Sequence, residues 1–145
     1  MRWLALAALL VCGCVHARKI RQGATVRGTT EWRDVERMIA LSGHAFFVAT
    51  GQPAGSVDGY VIRFLDYRPG CGSGDCHGVV IGDQVLLRSE RCIPVTSLAH
   101  ELMHIYHLQA FGHYDAMHAN RLLWEGSDAA VWRAVAAGVH EGMCG

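Results

Sequence analysis

The chain has no net charge to spare: thirteen lysines and arginines balance thirteen aspartates and glutamates. No sequence-wide field therefore draws in phosphate backbones or acidic surfaces, and nucleic acid is excluded as the expected partner. Internal repeats and low-complexity tracts are also missing, which excludes solenoids and disordered arrays. With 145 residues, 51% of them hydrophobic, the chain buries one core and lacks the length for two ordinary domains.

The longest apolar run stands first, in MRWLALAALLVCGC. Arg2 gives it a basic start, and Trp3 to Val11 is too short to cross a bilayer, so residues 1–14 read as a processing signal. Its end, Val11 to Cys14, resembles the bacterial lipoprotein box, in which a small residue precedes a cysteine that is lipid-modified. That resemblance makes Cys14 the candidate anchor and the bacterial cell envelope the expected location, with the membrane met through the lipid alone. Cleavage near Ala17 to give a freely secreted or periplasmic protein is the alternative.

Export changes the reading of the remaining cysteines. Cys71, Cys76, Cys92 and Cys144 are an even number in an oxidising compartment, and two disulfides are expected. The pairing stays open: the glycine-rich RPGCGSGDCHG lets Cys71 close on Cys76, and Cys76 with Cys92 across a hairpin is equally allowed. A structural zinc held by Cys71, Cys76, His77 and Cys92 is the rival, weakened by the loose spacing of the first pair.

Residues 15–30 are polar and aperiodic and read as a tether to a domain over 31–145. Thr30 can cap a helix across TEWRDVERMIAL. HAFFVAT and VDGYVIRFLDYR favour strands, and Gly82-Asp83 between HGVVI and QVLLR marks a hairpin. A second helix is predicted over about residues 95–111, ended by Gly112, and a third across WEGSDAAVWRAVAAG with Trp132 and Val135 in the core and Gly138 as terminator. The expected class is α+β: a small, mainly antiparallel sheet followed by two helices.

The second helix carries HELMHIYH, three histidines and one glutamate within residues 100–107. His100 and His104 lie one turn apart on one face, near enough to share a tetrahedral ion. Glu101, beside that face, can act as the base that activates an attacking water. Leu98, Leu102 and Ile105 fall on the opposite side, as a core-facing stripe must.

At these residues the chain resembles the zincin metallopeptidases, whose core is a mixed sheet, a helix bearing HExxH and a second helix below it. The likeness spans about residues 45–137, with the motif helix as its specific part. The layout SLAHELMH, GHYDAMH and a following Trp is also similar to small bacterial lipoproteins regarded as metallopeptidases. The resemblance implies hydrolysis of peptide or protein substrates with one Zn2+ ion. It implies nothing about oligomeric state.

A catalytic zinc usually takes three protein ligands. His107 shares the face but rises about 10.5 Å from His100, too far for one ion to span easily. The metzincin pattern wants glycine at position 107 and a ligand at 110, and His107 and Ala110 reject it. Minimal zincins place a third histidine on the return below the motif helix, just before an aromatic residue; Asp115 and His118, followed by Trp124, resemble that layout. Gluzincins instead take a glutamate from the next helix, which makes Glu125 the alternative, with Asp128 orienting an imidazole. His113 and Asp115 are further candidates. Tyr106, Tyr114, His113 and His140 are available as oxyanion donors, and none is assigned. A non-catalytic envelope protein that holds zinc for structure or storage is the competing function.

Overall fold

The computed structural model describes residues 17–20, 23–27, 32–71, 74, 76–88 and 95–139. In chain order these form β1 (Ala17–Lys19), β2 (Thr25–Arg27), α1 (Trp32–Thr50), β3 (Val61–Leu65), β4 (Gly78–Ile81), β5 (Gln84–Arg88), α2 (Val95–Phe111), α3 (Arg121–Trp124) and α4 (Ala130–Val139). Residues 1–14 with Cys14, the capping Thr30, and Cys92, His140 and Cys144 lie outside the described residues.

The α+β class holds, but the sheet is mixed rather than mainly antiparallel. Its five strands run in the order β1-β2-β3-β5-β4. The outer pairs β1 with β2 and β4 with β5 are antiparallel, whereas β3 is parallel to both its neighbours. For β2 and β3 the cause is α1, which intervenes between them; β5 runs parallel to β3 because β4 and its hairpin intervene. A connection carrying a helix brings the chain back in the same direction, as a tight hairpin cannot. Gly82-Asp83 does turn a hairpin, and it leaves β4 on the outside of the sheet.

Two expected strands or linkers prove otherwise. HAFFVAT continues α1, because Val35, Met38, Ile39, Ser42, Ala45 and Phe46 are all buried at the three- and four-residue spacing of one helix face. The tether expected over residues 15–30 contains β1 and β2, and Ile20, Ala24 and Val26 are buried in the core. Strands of three residues, one wholly exposed and the other with a single buried residue, leave too little alternation to register in the sequence.

The third helix is also divided. Trp124 closes α3, Gly126 turns the chain at φ 74°, and α4 begins at Ala130. Ala130, Val131 and Ala134 enter the core, Val135 packs against it, and Trp132 is 47% exposed rather than buried. α4 continues past Gly138 to Val139.

The motif helix keeps its predicted bounds. Gly112, at φ 82°, ends α2 by donating its N–H to the Leu108 carbonyl, a left-handed turn that glycine adopts without steric cost. α2 touches β4 and β5 on one side and packs on α1 and α4 on the other. Leu98, Ala99, Leu102, Met103, Ile105 and Tyr106 are accordingly buried. Each large apolar side chain among them stabilises the fold by roughly 1.5–3 kcal/mol. The Tyr106 hydroxyl donates to the Ile39 carbonyl at 3.2 Å, and burial holds its pKa above the usual tyrosine value.

Candidate metal centre

With so much of α2 covered, only a narrow strip of it remains open. His100 and His104 stand on that strip, and the loop after α2 brings His118 to meet them. The Nε2 atoms of His100, His104 and His118 lie 3.2 Å from one another in all three pairs. Among the described residues this is the group of His, Cys, Asp and Glu able to hold a metal ion. A tetrahedral ion bound at 2.0–2.1 Å requires its ligand nitrogens about 3.3–3.4 Å apart, so the triangle fits one.

The protonation pattern supports the same reading. His104 Nδ1 lies 2.6 Å from the Tyr114 carbonyl oxygen. A carbonyl only accepts, so Nδ1 carries the hydrogen, and in a neutral ring the Nε2 lone pair faces the triangle. Burial, with the His104 and His118 charges adding to it, lowers the His100 pKa to about 4. The His104 pKa is lowered as well, by burial first, although its bond to Tyr114 works the other way. A neutral ring that offers its lone pair is the state a metal needs.

The loop from Tyr114 to Asn120 holds this geometry. Asp115 and His118 take left-handed backbone angles, φ 51° and 53°. Asp115 is buried, and its carboxylate accepts from the backbone N–H of Ala119 (2.9 Å) and Asn120 (3.0 Å) and from Trp124 Nε1 (2.7 Å). Burial acts to raise its pKa, but those hydrogen bonds outweigh it and hold the carboxyl below its usual value. The Asp115 carbonyl accepts the His118 N–H at 2.8 Å. Beneath the triangle, the Trp124 ring lies 4.5–4.6 Å, centroid to centroid, from all three imidazoles.

Glu101 faces β4. It is 6% exposed, and burial raises its pKa to about 7. Room for it comes from Gly78, the first residue of β4: a Cβ there would stand 2.9 Å from Glu101 Oε1, 3.0 Å from its Cγ and 2.8 Å from Leu87 Cδ2. A cleft of about 450 Å³ runs along β4, with Gly78, Val79 and Val80 on one wall and Tyr114, Ala116 and His118 on the other. His100, Glu101 and His104 also line it, as do Cys71 and Cys76. These two cysteines form a disulfide with Cα atoms 5.9 Å apart, so the pairing of Cys76 with Cys92 and a zinc shared among Cys71, Cys76, His77 and Cys92 are both set aside.

The remaining candidates fall elsewhere. Glu125 is exposed and its Oε2 accepts from Arg121 Nε at 2.6 Å, a helical i,i+4 pair away from the triangle. Asp128 is exposed as well. His107 is buried, with Nδ1 donating to the His113 carbonyl, and its ring meets that of His113 edge to face. His113 Nδ1 accepts the Asp115 N–H, so both serve the loop rather than the triangle. Tyr106 is tied to Ile39, which leaves Tyr114 as the described tyrosine lining the cleft. Gly78 as a gap escaped the sequence reading, whereas Trp124 and the Cys71–Cys76 pair were named there without their places as floor and wall of the site. The only signal for Gly78 was a glycine at the start of a strand.

No family model, curated protein or solved structure matches the chain.

Proposed function

We propose that the protein is a zinc-dependent peptidase of the zincin kind, tethered to the bacterial envelope by a lipid on Cys14. One observation carries the reading: three imidazole nitrogens converge at tetrahedral spacing in a cleft that a buried glutamate also lines. His100, His104 and His118 would hold the zinc ion, which when bound would supply Lewis-acid polarisation of a carbonyl and of water. Glu101, with its pKa near neutrality, takes the proton of the attacking water and returns it to the leaving amine. Gly78 admits the carboxylate to the place where it can do so. β4 ends the sheet beside the histidines, and an extended peptide adds to such an edge through main-chain hydrogen bonds.

The test joins metal analysis of the purified protein to cleavage of a broad peptide library with and without chelator. One zinc per chain and chelator-sensitive cleavage are expected. Stoichiometric zinc without cleavage of any peptide points to the metal-holding alternative, and absence of zinc removes both. For the anchor, mass spectrometry of the mature N-terminus should find a diacylglyceryl modification on Cys14. No helix among the described residues is long and apolar enough to cross a membrane.

A further inference from the structure

We infer that Asp115 and Trp124 form a latch that sets the third imidazole in place before any ion arrives, so that metal affinity depends on a hydrogen bond that touches no ligand atom. The inference rests on the metal site of the reading above.

His100 and His104 need no such device, because the helix spaces them. His118 sits on an irregular loop with a left-handed backbone, a conformation that side chains with a Cβ adopt at a cost. Left alone, that loop would sample many shapes, and an ion would have to order it. Asp115 removes the freedom at both ends: its carboxylate accepts two backbone N–H groups beyond His118, and its carbonyl accepts the N–H of His118 itself. The preceding carbonyl, that of Tyr114, orients His104 through the same loop.

What fixes Asp115 to the rest of the site is the indole N–H of Trp124, 2.7 Å from Oδ2. Trp124 belongs to α3, whose Asn120 cap accepts the Leu122 N–H. Its ring bears on all three imidazoles. One side chain thus supports the ligands from below and ties down the loop that carries the third. Asp115 suits this task because an ionised carboxylate offers acceptors only. An amide in its place must turn an NH2 toward either Ala119 N–H or the Asn120 and Trp124 donors, whichever way it is flipped.

Asp115→Asn, Trp124→Phe, the double variant and His118→Ala should be titrated with zinc against a chromophoric chelator, and loaded with cobalt to read ligand geometry from the visible spectrum. Each latch variant is expected to weaken zinc about 10–100-fold and to lose part of the tetrahedral cobalt absorption. The double variant should lose less affinity than the two single losses combined, since the Trp124 Nε1–Asp115 Oδ2 bond is common to both. Trp124→Phe keeps an aromatic floor and serves if the aspartate variant does not fold. If zinc is lost with His118→Ala while both latch variants bind like the parent, the latch is refuted and the metal site stands. An unchanged cobalt spectrum beside lowered thermal stability also refutes it. If the parent binds no zinc, latch and metal reading fall together.

Discussion

Replacing Glu101 by glutamine separates chemistry from stability in one variant. The carboxyl titrates at about 7 in the folded protein against an ordinary 4.5, because it is buried. A raised folded pKa means that the folded state binds more protons than the unfolded chain between these values. Stability from this group is therefore present at low pH, declines as pH rises from about 4.5, and levels off above about 7. At about 1.36 kcal/mol per pKa unit, keeping the carboxylate ionised in this place costs about 3 kcal/mol at full effect. Glutamine cannot ionise, so its advantage should grow from about 1 kcal/mol near pH 5 to about 3 kcal/mol near pH 8. The His100 pKa, lowered to about 4, has the opposite slope, but it is common to both proteins and cancels in the difference. Urea unfolding of chelator-treated protein measures this; with a slope of about 2 kcal/mol/M, the midpoint gap should widen by about 1 M between those pH values. Saturating zinc should shrink it, because a nearby cation favours the carboxylate. The same variant should keep its zinc and lose turnover by 100-fold or more. A stability difference that stays flat with pH would refute the buried, charged base, and undiminished cleavage would refute its catalytic role.

Other perturbations test separate parts of the site. His118→Ala should lower zinc affinity by at least about 100-fold, whereas Glu125→Ala, which breaks only the exposed pair with Arg121, should change it less than about twofold and stability by under about 1 kcal/mol; chelator competition decides, and the reverse order would transfer the third ligand to Glu125. Gly78→Ala should retain zinc, cost about 1–3 kcal/mol through overpacking and lower kcat by displacing Glu101, as denaturation and steady-state kinetics would show; full activity would mean that the edge strand yields freely. Changing Cys71 and Cys76 together to serine should cost about 2 kcal/mol for so short a loop and raise KM more than it lowers kcat, because the pair lines the cleft; an unaltered KM would remove the disulfide from the substrate-binding surface.

Local chemistry made α2 legible. Its length, its Gly112 stop and the shared face of His100 and His104 follow from a period of 3.6 residues and from one residue's tolerance of positive φ, and neither needs a distant partner. The β4–β5 hairpin was readable for the same reason. The place of Glu101 beside that face was legible, but its raised pKa was not, since that comes from burial under a strand crossing over it.

What the chain alone determined is therefore two histidines and a glutamate on one helix at the spacing of a metal site, and the class of fold that carries them. The sequence already put His118 ahead of Glu125 through a resemblance; only the tertiary structure brings its ring to the other two, through backbone angles and buried hydrogen bonds that Asp115 organises across residues 115–124. The sheet's parallel strands and its early start at Ala17 were likewise decided by packing. Periodicity in a sequence records the face that an element buries; which elements meet, and which side chains then converge, depends on contacts between residues far apart in the chain.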